Sequence, residues 1–350
     1  MQSATLVAER TIRLADSKPV DAPLQSDEVR VSVSSVGLCG SDLSSYLGAH
    51  PRMRPPLVLG HEFAGQVDAV GSAVTRVSIG DTVAVDPMLT CGQCRNCRDN
   101  RPNVCDDYRL IGCDPALPGA LAGQVTVAAR QVVALPSGMS TVEGALLQPL
   151  NISLHAITDR ARVQKGDSVV VFGSGPIGLG CLAAAQVAGG RVVMCDIATD
   201  RLARAEALGA DAVVDVSGDD AIARIIEAAG GPLDHAVEAA GGRQTSTLEL
   251  STEVVRKGGR VTVVGNFSSE VRGLDLAAMK VKELTVVAAQ GYSSPLDKAL
   301  DLLKHARLAE QLVSHRFAIG AAEEAFAALA DPAQDTLKVV IDFSPTAGRR

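Results

Sequence analysis

The stretch CGQCRNCRDNRPNVC, residues 91–105, carries four cysteines spaced C-x2-C-x2-C-x7-C. Two-residue gaps let neighbouring thiolates face a common centre, and the longer excursion returns Cys105 to Cys91, Cys94 and Cys97. Four thiolates suit Zn²⁺ and close its tetrahedral shell, leaving no position for a substrate, so a metal held here is structural. An iron–sulfur cluster or free surface thiols would use the same residues. The residues between the cysteines are mostly polar, as on an exposed lobe. Reaction chemistry must then sit elsewhere. Cys39, His61 and Glu62 are a thiolate, an imidazole and a carboxylate, each able to ligate zinc. Three protein ligands with one open position make a catalytic site. Cys113, Cys181 and Cys195 stand alone among apolar or small residues and read as buried, inert thiols.

A second pattern is VFGSGPIG, in which Gly173, Gly175 and Gly178 form G-x-G-x-x-G with Pro176 and Ile177 inside it. It follows an apolar strand-like run and opens an alanine-rich helix. The first glycine permits the tight turn, the second lets a pyrophosphate approach the backbone, and the third lets helix and strand pack closely. The pyrophosphate then meets free N–H groups at the helix N-terminus. Asp196 ends the next strand-like run. A carboxylate there binds both ribose hydroxyls of NAD and repels the 2′-phosphate of NADP, so NAD(H) is expected over NADP. Arg201, on the following helix, is the nearby cation that opposes this preference.

These groups need a scaffold, and 350 residues give room for about two domains. With 47% hydrophobic and 21% charged residues, the chain has the balance of an ordinary globular protein. Three Tyr, six Phe and no Trp leave little to stack on single-stranded nucleic acid. A net charge of −7 without long runs of like charge excludes a nucleic-acid footprint and a polybasic membrane anchor. Ser168–Gly190 is free of charge and long enough to span a bilayer. Its glycines, Pro176 and its switch from β-branched to alanine-rich composition argue instead for a strand and then a helix. The N-terminus holds no apolar core of signal-peptide length. A cytoplasmic protein is expected, in a compartment where disulfides rarely persist.

Residues 1–150 alternate β-like runs with glycine and proline, which predicts a mostly β module. NISLHAITDRARVQK (151–165) has a helical pattern. From Asp167, short apolar runs such as SVVVFG, RVVMCD and DAVVDV alternate with amphipathic helical segments to about residue 290. This cadence predicts a parallel, doubly wound sheet with right-handed crossovers. Beyond Pro295, two helical segments precede a last strand, KVVIDF, and the terminal PTAGRR is expected to fray.

In GLCGSD (37–42), GHEFAGQVDAVG (60–71), GDTVAVDP (80–87), the four-cysteine lobe, LLQPLNISLHA (146–156), GSGPIG (173–178) and the Asp196 strand end, the chain resembles the zinc-dependent medium-chain dehydrogenase/reductase family. It looks most like the polyol and sorbitol dehydrogenase branch, with threonine dehydrogenase close by. The resemblance implies an α/β fold. A GroES-like, β-rich catalytic domain over 1–150 is rejoined by 291–350, and a Rossmann NAD-binding domain over 151–290 is inserted between them. The active site is then expected in the cleft between the domains.

The resemblance also implies roles. Two zinc ions per chain are expected, one structural and one catalytic. Cys39 and His61 become ligands of the catalytic zinc, with Glu62 a ligand or its close neighbour. Ser41 matches the hydroxyl that passes the substrate proton outward, and Asp42 orients a ligand or caps a turn. The polyol branch usually has Glu in an E-P-L motif where this chain has Gln148, a weaker candidate ligand of the catalytic zinc, which implies looser zinc binding or a lower pKa for metal-bound water or alcohol. His155 falls near the nicotinamide half. GAHPRMRPP (48–56) should border the cleft, making His50, Arg52 and Arg54 candidate substrate contacts, together with Tyr46, Arg109, Asn151 and Tyr292. The expected substrate is a small polar secondary alcohol or ketone, such as a polyol, sugar or cyclitol, and the expected reaction is hydride exchange with NAD(H). A carbonyl reductase or epimerase and a threonine-type 3-dehydrogenase would use the same residues. An NAD-binding sensor with a weakened metal site is the non-enzymatic alternative. A homodimer or homotetramer is expected, with no nucleic-acid or membrane partner.

Overall fold

EVRVSVSSVG becomes a central strand because its valines suit a pleated, packed surface. The computed structural model describes residues 1–16, 21–267, 274–304 and 308–343, and the chain divides into two compact units. The first takes residues 1–148 and the segment that begins at Val313; the second is Pro149–Leu312.

The first unit holds β1 (Gln2–Ala8), β2 (Thr11–Asp16), β3 (Glu28–Gly37), β4 (Glu62–Val70), β5 (Thr82–Val85), β6 (Met88–Leu89), β7 (Arg109–Leu110), β8 (Gln124–Ala128) and β9 (Val132–Ala134). From the far end of the chain come β16 (Val313–Ala318) and β17 (Lys338–Asp342). The main sheet runs β16-β17-β3-β4-β5-β9, with β8 also on β3. The early part of β3 pairs with β8, and its last residues, Ser35–Gly37, pair with β17. Helices α1 (Gly40–Tyr46), α2 (Arg95–Arg98) and α11 (Ala322–Ala330) join these strands. Val31, Val36, Leu59, Phe63 and Phe326 lie in the core beneath.

Helix α3 (Thr141–His155) starts well before the helical pattern at 151 predicts. Its start is a capping box. The Glu143 N–H donates to Ser140 Oγ at 3.2 Å, and the Ser140 N–H donates to Glu143 Oε2 at 2.8 Å. After His155 the helix widens into a π-turn over Ala156–Ala161.

In the second unit, β10 (Ser168–Phe172), β11 (Arg191–Asp196), β12 (Ala212–Asp215), β13 (Leu233–Glu238), β14 (Val255–Val263) and β15 (Thr285–Ala288) form a fully parallel sheet ordered β12-β11-β10-β13-β14-β15. Between them come α4 (Pro176–Val187), α5 (Thr199–Ala207), α6 (Ala221–Ala229), α7 (Ser246–Val254) and α8 (Leu276–Lys282). Strand order reverses beside β10, which opens a crevice at the carboxyl ends of the strands. The charge-free stretch 168–190 is β10, a turn and α4. Among the described residues no helix is long and apolar enough to cross a membrane. Residues 291–312, expected to return to the first unit, stay with the parallel sheet because α9 (Leu300–Leu303) and α10 (Leu308–Leu312) pack on α4. The expected fraying of PTAGRR lies outside the described residues.

Candidate metal centre and dinucleotide site

The lobe cysteines converge. Cys91, Cys94, Cys97 and Cys105 place their sulfurs within 4.8 Å of one another. The Cys91–Cys105 separation is 3.5 Å and the Cys94–Cys105 separation 4.0 Å. A disulfide needs about 2.05 Å, whereas a tetrahedron of metal–sulfur bonds near 2.3 Å has edges of about 3.8 Å. Backbone N–H groups of Cys91, Cys94, Cys97 and Asp107 donate to these sulfurs at 3.3–3.4 Å. Such bonds, from Asp106 foremost and then Cys97, bring the Cys94 thiol down to about 6.

Cys39, His61 and Glu62 form the second cluster, also with donor atoms within 4.8 Å. Cys39 caps α1 at the end of β3; His61 and Glu62 stand where β4 begins. Gly37 pairs directly with Glu62, and a Cβ at 37 would stand 2.5 Å from Glu62 Oε2, so glycine makes room for the carboxylate. Asp42, fully buried in the first turn of α1, accepts the Cys39 N–H at 2.9 Å through Oδ2. Its Oδ1 lies 3.5 Å from His61 Nδ1. Cys113 Sγ lies 3.7 Å from the same nitrogen, so this thiol is not the inert core residue that its apolar neighbours in sequence imply. Nδ1 thereby faces protein partners, which leaves Nε2 open to a metal ion. Burial pulls the His61 pKa down, but the Asp42 carboxylate and the Cys113 thiol outweigh it and hold it well above the usual value.

Sequence reasoning missed Lys338. This residue, 3% exposed at the start of β17, donates from Nζ to Glu62 Oε1 at 2.9 Å, Glu62 Oε2 at 2.6 Å and the Leu38 carbonyl at 3.1 Å. Its three donors are satisfied. Burial alone would lower its pKa; Glu62, then Cys39, raise it above the usual lysine value. The available signal was one cation at the head of the apolar run Val339–Ile341.

The remaining expectations divide. Ser41 is half-buried in the first turn of α1. Gln148 is buried on α3, and its Oε1 has no hydrogen-bond partner among the described residues. Tyr46, expected at the substrate, is a core residue whose ring stacks on Phe326 at 5.2 Å. His50 shapes its own loop: Nδ1 accepts the N–H groups of Arg52 at 3.2 Å and Met53 at 2.9 Å, and burial, with Arg52, lowers its pKa. Arg54 donates to the Gly48 carbonyl, while Arg52 is exposed. Arg109 pairs with Asp114 at 2.8 Å. In the second unit, Asn151 ties to Ser294 through both ends of its amide, Tyr292 is buried, and His155 Nδ1 meets Asp159 Oδ2 at 2.7 Å. Cys181 and Cys195 are buried thiols, and burial pushes Cys181 up to about 12.

The glycine-rich turn joins β10 to α4 as expected. Gly175 caps α4 and Pro176 opens it, a position where its missing N–H costs nothing. A Cβ on Gly178 would overlap the Gly173 carbonyl oxygen, whereas one on Gly175 would meet nothing within 4 Å. The third glycine therefore serves packing and the second leaves open space for a phosphate. Asp196 ends β11. Its Oδ2 accepts the Ser174 N–H at 2.6 Å, and its Oδ1 accepts those of Ile197 at 2.8 Å and Ala198 at 3.0 Å. Arg201 is half-buried in the first turn of α5.

Both clusters and the turn fit the groups expected of them: four sulfurs for one closed site, a mixed donor set with spare buried oxygens for the other, and a cradle beside a carboxylate. Residues 25–137 match the family model described as alcohol dehydrogenase GroES-like domain, and residues 176–305 match that described as zinc-binding dehydrogenase. The chain is 30% identical over 347 residues to the sorbitol dehydrogenase of Bacillus subtilis, covering 97% of each. A solved alcohol dehydrogenase of Escherichia coli, complexed with NADH, has a TM-score of 0.87 at 27% identity and covers 98% of this chain and 99% of its own. A zinc-binding dehydrogenase of Sinorhizobium meliloti bound to NADP also reaches 0.87, at 28% identity over 97% and 98%.

Proposed function

Because the chain belongs to the zinc-dependent medium-chain dehydrogenase/reductase family, we propose that this oxidoreductase exchanges hydride between a secondary alcohol of a polyol, sugar or cyclitol and NAD(H). The observation that carries the reading is the convergence of Cys39, His61 and Glu62. Bound zinc would supply Lewis acidity to a hydroxyl, and bound NAD the hydride acceptor.

The chain's own residues supply the rest. Cys39 Sγ, His61 Nε2 and Glu62 would hold the metal, and Gln148, whose buried Oε1 has no hydrogen-bond partner among the described residues, is the neutral donor that the family motif would add. Asp42 and Cys113 orient the His61 ring from behind. Lys338 Nζ donates to both Glu62 oxygens and limits the reach of that carboxylate. Ser41 Oγ receives the hydroxyl proton and hands it outward. Cys91, Cys94, Cys97 and Cys105 hold a second zinc that braces the lobe. The turn at Gly173–Gly178 receives the pyrophosphate, and Asp196 exchanges its backbone partners for the ribose hydroxyls, which favours NAD over NADP.

The sorbitol dehydrogenase relative supports the polyol class. Exposed Leu276, Val281 and Val286, on α8 and β15 at the edge of the parallel sheet, support a homo-oligomer formed through that edge. Eight cysteines, none in a disulfide, support a cytoplasmic enzyme.

The test is metal analysis followed by a panel of polyols, aldoses, inositols, amino-cyclitols and threonine, read as NADH absorbance. Two zinc per chain and turnover of a polyhydroxy secondary alcohol are expected. Zinc-loaded protein that turns over none of them ends the proposal, and one zinc per chain favours an NAD-binding sensor.

A further inference from the structure

Strands β11 and β12 are parallel neighbours, and their last residues, Asp196 and Asp215, pair in register. Residues paired this way point to the same face of a sheet, with Cα atoms about 4.8 Å apart. The pairing is pinned beyond the strand ends, where the Val216 N–H donates to the Asp196 carbonyl at 3.1 Å. Two carboxylates therefore leave the same face at the carboxyl edge, on the side of the crevice where the ribose of a dinucleotide lies.

The two differ in what they already hold. Asp196 accepts three backbone N–H groups, which spreads its charge. Asp215 is half-buried and accepts the Ser217 N–H through Oδ1 at 2.9 Å. That bond holds its carboxyl below the usual carboxylate range, so it is ionised at neutral pH. Arg224, the cation acting on it, lies 3.8 Å from Asp220. On α5, Arg204 donates to the Gln311 carbonyl at 3.2 Å, and Arg201 is half-buried in the first turn.

We propose that Asp215 is a second specificity-determining residue of the dinucleotide site, excluding the 2′-phosphate of NADP jointly with Asp196. The inference rests on the NAD reading above and assigns part of the selectivity to a residue that need not touch the ribose. A 2′-phosphate carries a charge near −2 at neutral pH, so it is repelled by a carboxylate one strand away, while a plain ribose is not. Solved relatives bound to NADH in one case and NADP in another leave room for such a determinant.

The experiment measures binding of 5′-AMP and 2′,5′-ADP to the full chain by calorimetry, in wild type, D196N, D215N and the double variant. For D215N we expect 2′,5′-ADP affinity to rise by about 3- to 10-fold while 5′-AMP stays within about twofold. The gain should shrink as salt is raised. Retained 5′-AMP binding shows that the variant is folded. If D215N shifts both ligands equally, or neither, the inference is overturned. If wild type fails to bind 5′-AMP, the NAD reading itself falls and takes the inference with it.

Discussion

Glu62 and Lys338 lie 276 positions apart in sequence and 2.6 Å apart in space, both buried. Breaking such a pair by removing one partner strands a charge, at a cost of about 3–5 kcal/mol. Here the stranded carboxylate would be a candidate metal ligand, so a metal cation would compensate for the missing ammonium. The K338M variant should therefore be destabilised chiefly when metal-free. Its melting temperature should fall much further on chelation than that of wild type; an equal fall in both proteins would disprove the coupling. The convergence of Cys39, His61 and Glu62 was foreshadowed in the sequence because Cys, His and Glu advertise their chemistry by type. Lys338 was not, since a lysine at the head of a short strand gives no hint of its partner. Cys113 was misread for the same reason: flanking residues describe a side chain's neighbours along the chain, not those across from it.

The lobe shows what an element becomes when covalent geometry outweighs packing. Its regular structure is a four-residue helix with no buried residue and a single 3-10 turn, Pro102–Val104, with a two-residue strand pair at its base. So little burial cannot hold fifteen residues in place, and a metal held by four thiolates can. C97S should lose one zinc per chain and expose the 91–105 loop to limited proteolysis. Binding of 5′-AMP, which belongs to the other unit, should be unchanged. A loop as resistant as wild type would show that the metal does not brace it. At this scale the strands were legible, since alternation and β-branching survive folding. The start of α3 was not, because a Ser140–Glu143 capping box overrode a periodicity that suggested a later start. The placement of 291–312 followed from helix packing that no local pattern records.

On the largest scale the two units differ in how the chain builds them. The second is one continuous segment, Pro149–Leu312, and its entry falls at a proline that already lacks an N–H. A fragment of residues 149–312 should fold alone and bind 5′-AMP, as circular dichroism and calorimetry would reveal. An unfolded or non-binding fragment would mean that the nucleotide half depends on the rest. Residues 1–148 alone should fail to form the native first unit, because β17, which pairs with Ser35–Gly37 of β3, would be missing. The parallel sheet was legible from the cadence of the sequence. The discontinuity of the first unit was not: it came from family resemblance, because spacing alone does not reveal that β17 pairs with β3.

That pairing also sets an order of events in time. A ribosome adding about 5–20 residues per second must synthesise the whole of 149–312 between the thiol-bearing half of the first unit and the strand that completes it, a delay of roughly 8–30 s. During that interval Glu62 lacks its ammonium partner and β3 lacks one neighbour along Ser35–Gly37. The nucleotide unit can mature while the chain is still tethered, whereas the sheet that carries Cys39, His61 and Glu62 is completed only once β17 has emerged. Starving cells of zinc should therefore accumulate protein that binds nucleotide but is inactive, with its 91–105 loop open to proteolysis.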